Sequence, residues 1–244
     1  MLGTVNGRWG PCTYFLKDEY VGRSVRNYGE YNPDETEKVL SLANEAGVGL
    51  CLDIGANIGC ISQALLSVGE KVLAVEPQPE VWKVLRENLD YVDSSASTTL
   101  CALGSVEGTA TMPKIDYSAK ANIGGCGIRT MNAWERKIEV HVTTLDRLVA
   151  QRGRVKFIKM DVEGFELEVL KGGRETILRD KPIMYIEDDR TEKSYALRKY
   201  IREELGYWIE EHKPTLYRPK NFLGLERNIW DLNYASHNII CRPC

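Results

Sequence analysis

Leu52-Asp53-Ile54-Gly55-Ala56-Asn57-Ile58-Gly59 lies where an apolar run gives way to a helical pattern, and it sets an acid before two glycines spaced as GxxxG. Glycines at such a turn let the backbone approach a ligand closely, and the helix that follows offers free N–H donors at its start. Dinucleotide pyrophosphate loops use GxGxxG instead. Asp53, immediately before the turn, repels a diphosphate and suits an amino group, which favours a cationic, amino-acid-bearing nucleotide over NAD. Glu76 ends the next apolar run, within Val75-Glu76-Pro77, and an acid there can accept both ribose hydroxyls of a nucleoside of either kind. Each motif alone reads equally as a tight turn or a strand-ending acid; in register they point to one site.

The elements that must position these residues follow from periodicity. A helix is expected from Asn32-Pro33, with Asp34, Glu35 and Glu37 at its positive end and Val39, Leu40, Leu42, Ala43 and Ala46 on its apolar face, stopped by Gly47 and Gly49. Leu50 to Ile54, Lys71 to Val75, Thr98 to Leu103, Val155 to Met160 and Pro182 to Ile186 read as strands, and Cys60 to Val68, Glu80 to Leu89 and Glu192 to Leu205 as helices. Strands that are apolar throughout are buried on both faces, which gives a parallel sheet between helix layers. The expected fold is α/β and doubly wound. Gly108 to Met112 and Lys137 to Val142 alternate like edge strands and mark a small β insertion over 106–142, while Tyr207 to Glu210 and His237 to Cys241 read as late strands, the last antiparallel. With no repeat or Gly/Ser linker, the chain reads as a single domain: an extension or lid over 1–47, a core over 48–190, and a sheet edge with an acceptor loop over 191–244.

At 244 residues, 43% hydrophobic, the chain can close a full core. Its net charge of −3, with both signs mixed along the chain, argues against a broad phosphate-tracking surface. The start lacks a secretory pattern, and Val48 to Gly69 is interrupted by Asp53, Asn57, Gln63 and glycines, so neither export nor a membrane span is expected and the location is read as cytoplasmic. Seven scattered cysteines suit a reduced compartment. The terminal Cys241/Cys244 pair has no second pair to complete a zinc site.

The sequence resembles the FkbM-type S-adenosylmethionine-dependent methyltransferases, through LDIGANIG, AVEPQPE, the CALGS segment, VTTLD at Val142 to Asp146, and FIKMDVEGFELEVLKGG at Phe157 to Gly173. DIGANIG occurs in many methyltransferases; MDVEGFE narrows the likeness to this family. The segments Tyr20 to Glu30 and SHNIICRP match less specifically. The resemblance implies a mostly parallel seven-stranded class I, Rossmann-like sheet with S-adenosyl-L-methionine across its carboxyl edge. Asp53, Gly55, Ala56, Asn57 and Gly59 would then surround the methionine portion, Glu76 and Pro77 the ribose, and Ala102 and Leu103 the adenine. Asp161 and Glu163 would lie near the sulfonium and the acceptor.

Asp161 follows the strand Lys156 to Met160, and its Asp-Val-Glu-Gly turn puts two acids beside the cleft. Methyl transfer is an in-line displacement in which alignment does much of the work, but an alcohol acceptor must still lose a proton. Asp161 is the first candidate to accept or orient it, although an ordinary carboxylate is a weak base for a hydroxyl; capping the next helix is its competing reading. Among the three histidines, His141 reads as outward-facing, His212 has no evident partner, and His237 is the alternative base. Arg23, Tyr28 and Glu30 read either as a lid or as packing of the extension. Tyr217, Arg218, Asn221, Phe222 and Trp230, in the Lys213 to Asn233 loop, read either as a sugar-binding surface or as cover for the sheet edge. The loop Asn122 to Gly127 carries Cys126 where small hydroxylated residues are ordinary in the family.

The leading expectation is O-methyl transfer to a sugar or glycosylated small molecule. Base or protein-amine methylation, an NAD oxidoreductase and a non-catalytic nucleotide-binding module are the alternatives; the first lacks the Asn/Asp-Pro-Pro-aromatic turn after the fourth strand. The expected partner is a small-molecule or glycan acceptor, with no nucleic acid and with homodimerisation left open. Asp161 and Glu163 alone are too few ligands for a magnesium ion, so no metal is expected. Methyl transfer is therefore predicted to survive EDTA; loss of activity that magnesium restores overturns this.

Overall fold

The computed structural model describes residues 1–125, 136–230 and 236–244. The chain opens with an antiparallel hairpin, β1 (Leu2–Gly7) and β2 (Gly10–Phe15), that no periodicity in the sequence announced. Helices α1 (Val21–Tyr28) and α2 (Pro33–Glu45) follow, the second starting at the expected proline. Asn88, fully buried, docks the hairpin: its Nδ2 donates to Thr13 O at 2.9 Å and Ile58 O at 2.7 Å, and its Oδ1 accepts from Thr13 N at 2.6 Å. Buried backbone groups require such partners, and here they fasten the extension to the glycine turn.

The core then alternates strand and helix: β3 (Leu50–Ile54), α3 (Cys60–Ser67), β4 (Lys71–Val75), α4 (Pro79–Asp90) and β5 (Ser97–Thr99). The run expected as one strand over Thr98 to Leu103 is divided. Leu100 turns outward, and β6 (Ala102–Leu103) leaves the main sheet to pair with β8 (Lys137–Thr143), which also pairs with β7 (Gly108–Pro113). These three form a separate small sheet, in which β7 and β8 match the pair of strands expected over 106–142 and β6 comes from before them. After α5 (Leu145–Val149) come β9 (Val155–Met160), α6 (Glu166–Gly172), α7 (Arg174–Asp180), β10 (Ile183–Glu187), α8 (Thr191–Glu203), β11 (Tyr207–His212) and β12 (Asn238–Pro243).

The main sheet has seven strands in the order β11-β12-β10-β9-β3-β4-β5, and β12 runs antiparallel to both its neighbours. It is the expected doubly wound, mostly parallel architecture. Side chains alternate across it. Leu52, Ile54, Ile158, Met160, Met184 and Ile186 pack against α5 to α8 on one face; Cys51, Phe157, Tyr185, Val72 and Ala74 pack against α2 to α4 on the other. Burying each large apolar side chain contributes roughly 1.5–3 kcal/mol. No helix among the described residues is long and apolar enough to cross a membrane.

Where the small sheet meets the core, a Cβ on Gly172 would lie 2.0 Å from the Gly104 carbonyl oxygen, a backbone atom with no free rotation to relieve the clash. Gly172→Ala is predicted to destabilise the fold by roughly 1–3 kcal/mol, read as a lowered thermal midpoint. An unchanged midpoint would show that α6 and β6 separate freely.

Candidate active site

The carboxyl ends of β3, β4, β9 and β10 and the loops beside them enclose a cavity of about 520 Å³. That size is ordinary for a small-molecule site, roughly 300–1,000 Å³. The glycine turn is held to its neighbours by backbone bonds: Gly55 N and Ala56 N both donate to Val75 O, at 2.9 and 3.0 Å, and Asp161 N donates to Ile54 O at 3.0 Å. Gly55 has φ +78°, and a Cβ on it would sit 1.7 Å from Asp161 O. Only glycine permits this approach, which brings Asp161 to the turn.

Gly55, Ala56, Asn57, Glu76, Pro77, Ala102, Leu103, Asp161 and Glu163 all line the cavity, as the sequence led us to expect. Glu76 Oε2 accepts from Asn57 N at 3.1 Å and Oε1 from Gln78 N at 2.9 Å, so each oxygen retains a lone pair for a ligand. Burial pushes its carboxyl up to about 7, against the opposing pull of those two N–H donors. Asp161 is one-third exposed. In its turn Glu163 has φ +56°, and the fold-back is fixed by Glu166 Oε1, which accepts from Gly164 N at 2.9 Å and Val162 N at 3.3 Å.

Three of the expected site residues lie outside the lining. Asp53 does not line the cavity: it is fully buried on the α2–α4 face, its Oδ2 accepting from Ser62 Oγ at 2.6 Å, and Lys159 takes its place at the cavity floor. Gly59 does not line it either. Its φ of +90° starts α3, and a Cβ there would meet Leu85 Cδ1 at 2.6 Å, so it serves helix packing. His237 is exposed at the head of β12, on the opposite side from buried Asn238, and only its neighbour Ser236 reaches the cavity. His212 does have a partner, its Nδ1 lying 2.8 Å from Tyr185 Oη.

The two loops also resolve. Tyr28 Oη donates to Arg227 O at 3.1 Å and accepts from Ile229 N at 2.7 Å; Glu30 accepts from Arg8 and Phe222 N; Arg23 donates to Ile229 O. These residues tie the extension to the C-terminal loop, and Tyr20, Val21 and Tyr31 line the cavity instead. Tyr217, Arg218, Asn221, Phe222 and Trp230 do not line it; among the described residues of that loop Leu216 does. Asn122, Gly124 and Gly125 reach the rim, while Cys126, Gly127 and Asn233 lie outside the described residues.

The sequence reading missed Lys159, Phe165, Glu187, Asp189 and Arg190 in the lining. A lysine near the carboxyl end of the otherwise apolar stretch Phe157 to Met160, and an acidic run at the end of a buried strand, were the available signals. Asp161, Glu163 and Glu187 bring carboxylate oxygens within 4.8 Å of one another. Burial, with Asp161 and Glu163 alongside, raises the Glu187 carboxyl well above the usual range, and burial pushes Glu163 up to about 7 while Arg190 opposes it. With arginine on one member and lysine on another, the cluster carries no metal assignment.

The FkbM methyltransferase domain profile matches residues 53–209, more than half of the chain. The chain belongs to the FkbM methyltransferase family. Among curated proteins, hexuronic acid methyltransferase AglP of Haloferax volcanii is 31% identical over 123 residues, which are 49% of this chain and 48% of that protein. The chain thus matches about half the length of that relative. The solved structure of methyltransferase FkbM from Methylobacillus flagellatus KT superposes with a TM-score of 0.55 at 21% identity, covering 93% of this chain and 56% of that one. An O-methyltransferase from Bacillus cereus in complex with SAH gives 0.51 at 11%, covering 87% and 81%. At these identities the structures share the fold.

Behind the floor, Glu35 of α2 is buried and accepts from Asn32 Nδ2. Burial pushes its carboxyl from 4.5 up to about 7, with Lys159 opposing and Asp161 and Asp53 adding to the rise. Glu35 therefore holds its proton more tightly folded than unfolded. Its contribution is complete below the unfolded value and is lost as pH rises through about 7. Glu35→Gln, which is neutral throughout, is predicted to gain thermal stability over wild type at pH 8 and to gain less at pH 5. Equal differences at both pH values count against a raised Glu35.

Proposed function

We propose that the protein is an S-adenosylmethionine-dependent O-methyltransferase acting on a hydroxyl of a sugar or glycosylated small molecule. One observation carries the reading: Glu76 and Asp161 face the same cavity from either side of the Gly55 turn. The residues fit the cofactor. The backbone of the Gly55 turn lines the cavity, Glu76 keeps lone pairs for a ribose diol, and Cys101, Ala102 and Leu103 offer an apolar wall for a base. When bound, S-adenosylmethionine supplies a methyl group already activated on sulfonium. Asp161 then accepts a hydrogen bond from the acceptor hydroxyl and orients it for in-line attack. Glu163, Glu187 and Asp189 line the same end, where the positive charge of a sulfonium favours their ionised forms. The sugar acceptor draws support from the hexuronic acid named for the partial relative.

Calorimetry with S-adenosylmethionine is expected to give saturable binding that Glu76→Ala weakens by roughly 10–100-fold, the worth of a charge-assisted pair of hydrogen bonds. Incubation with labelled methyl donor and a glycan panel is expected to label a hydroxyl, with Asp161→Asn slowing turnover by roughly 10²-fold or more at little cost in cofactor affinity. Label on nitrogen, or full activity in Asp161→Asn, overturns the assignment.

A further inference from the structure

We propose that Lys159 holds the carboxylate at the amino-acid end of the cofactor, an assignment that rests on the cofactor reading above. The sequence placed an anion, Asp53, at this floor to receive an amine. Asp53 and Lys159 are register partners on the same face of the sheet, but Asp53 is covered by α3, where Ser62 holds one oxygen, and it is Lys159 that lines the cavity. The ligand is therefore gripped here by its anionic group.

The donor count supports the assignment. The Lys159 side chain is only 7% exposed, yet it lines the cavity. An ammonium has three N–H donors. Among the described residues its single hydrogen bond is a long one, 3.5 Å to Asp161 Oδ2, while Asp53 Oδ1 stands 3.9 Å away and has no hydrogen-bond partner. A buried charge so sparsely bonded has donors left for a ligand. The groups around it are Asp53 on β3, Asp161 after β9, Glu35 on α2 and Glu187 on β10. Burial acts to discharge the lysine, but these four carboxylates outweigh it and hold the proton on.

Arg190, the other cation among the described lining residues, is occupied by Glu163 and by Asp189 at 3.4 Å. Lys159 is thus the cation with donors to give. It lies on the strand next to the glycine turn, one residue before the methionine that precedes Asp161. Glu76 and the Ala102–Leu103 wall fix the nucleoside end farther along the same edge, so the tail of the ligand runs toward Lys159.

The test compares two ligands by calorimetry on the full chain: S-adenosylhomocysteine, and its decarboxylated analogue, which keeps the amine. Wild type is expected to prefer the first by at least 10-fold, and Lys159→Met to lose that preference by weakening S-adenosylhomocysteine alone. Lys159→Arg is expected to retain part of it. Equal weakening of both ligands, or of neither, overturns the proposal and leaves the cofactor reading standing. Wild type that binds neither ligand overturns both. Because Lys159→Met strands buried carboxylates and can fail to fold, lysine-labelled wild type followed by NMR gives a second measurement. The Lys159 resonance should move with S-adenosylhomocysteine and stay with the decarboxylated analogue; identical shifts refute the assignment.

Discussion

The site depends on one steric constraint: the backbone of the Gly55 turn lies against the backbone of Asp161 with no space for a side chain between them. Parallel strands β3 and β9 deliver both segments to the same edge, and the Asp161 N–H bond to Ile54 O locks them together. A cavity floor made of main chain is rigid and thin. Side chains on either side of it, Glu76 from β4 and Asp161 from β9, can therefore serve a single ligand.

Charge is the second organising feature. Among the described residues five carboxylates and two cations line the cavity, Glu76, Asp161, Glu163, Glu187 and Asp189 against Lys159 and Arg190. Burial first, and then the neighbouring carboxylates, hold Glu163 and Glu187 above the ordinary carboxylate range. A positively charged ligand relieves that repulsion.

The N-terminal extension completes the enclosure without supplying the residues that its motif suggested. Asp18, buried, accepts from the backbone N–H groups of Tyr20, Gly22 and Ile123, so one carboxylate joins the start of α1 to the loop at the cavity rim. Arg23, Tyr28 and Glu30 instead anchor the C-terminal loop. Walls drawn from both ends of the chain are fixed to the central sheet by buried polar bonds, which are specific in direction where apolar contacts are not.

The order of buried strands, the antiparallel last strand, the glycine turn, Glu76 and the Asp161 turn were all legible in the sequence, because apolar runs, prolines and glycines obey local rules. The β1–β2 hairpin, whose strands lack clear alternation, was not, and neither was the departure of β6 from the main sheet, which depends on its pairing with Val142 and Thr143 forty residues later. Side-chain direction at the strand ends was the most consequential gap. The sequence put Asp53 at the sheet's edge, but only the packing of α2 and α3 over one face decided that the acid is covered and that Lys159, its partner on β9, lines the cavity. His237 and the aromatic loop residues met the same limit: which way a side chain faces is set by what packs behind it, and those neighbours come from distant parts of the chain.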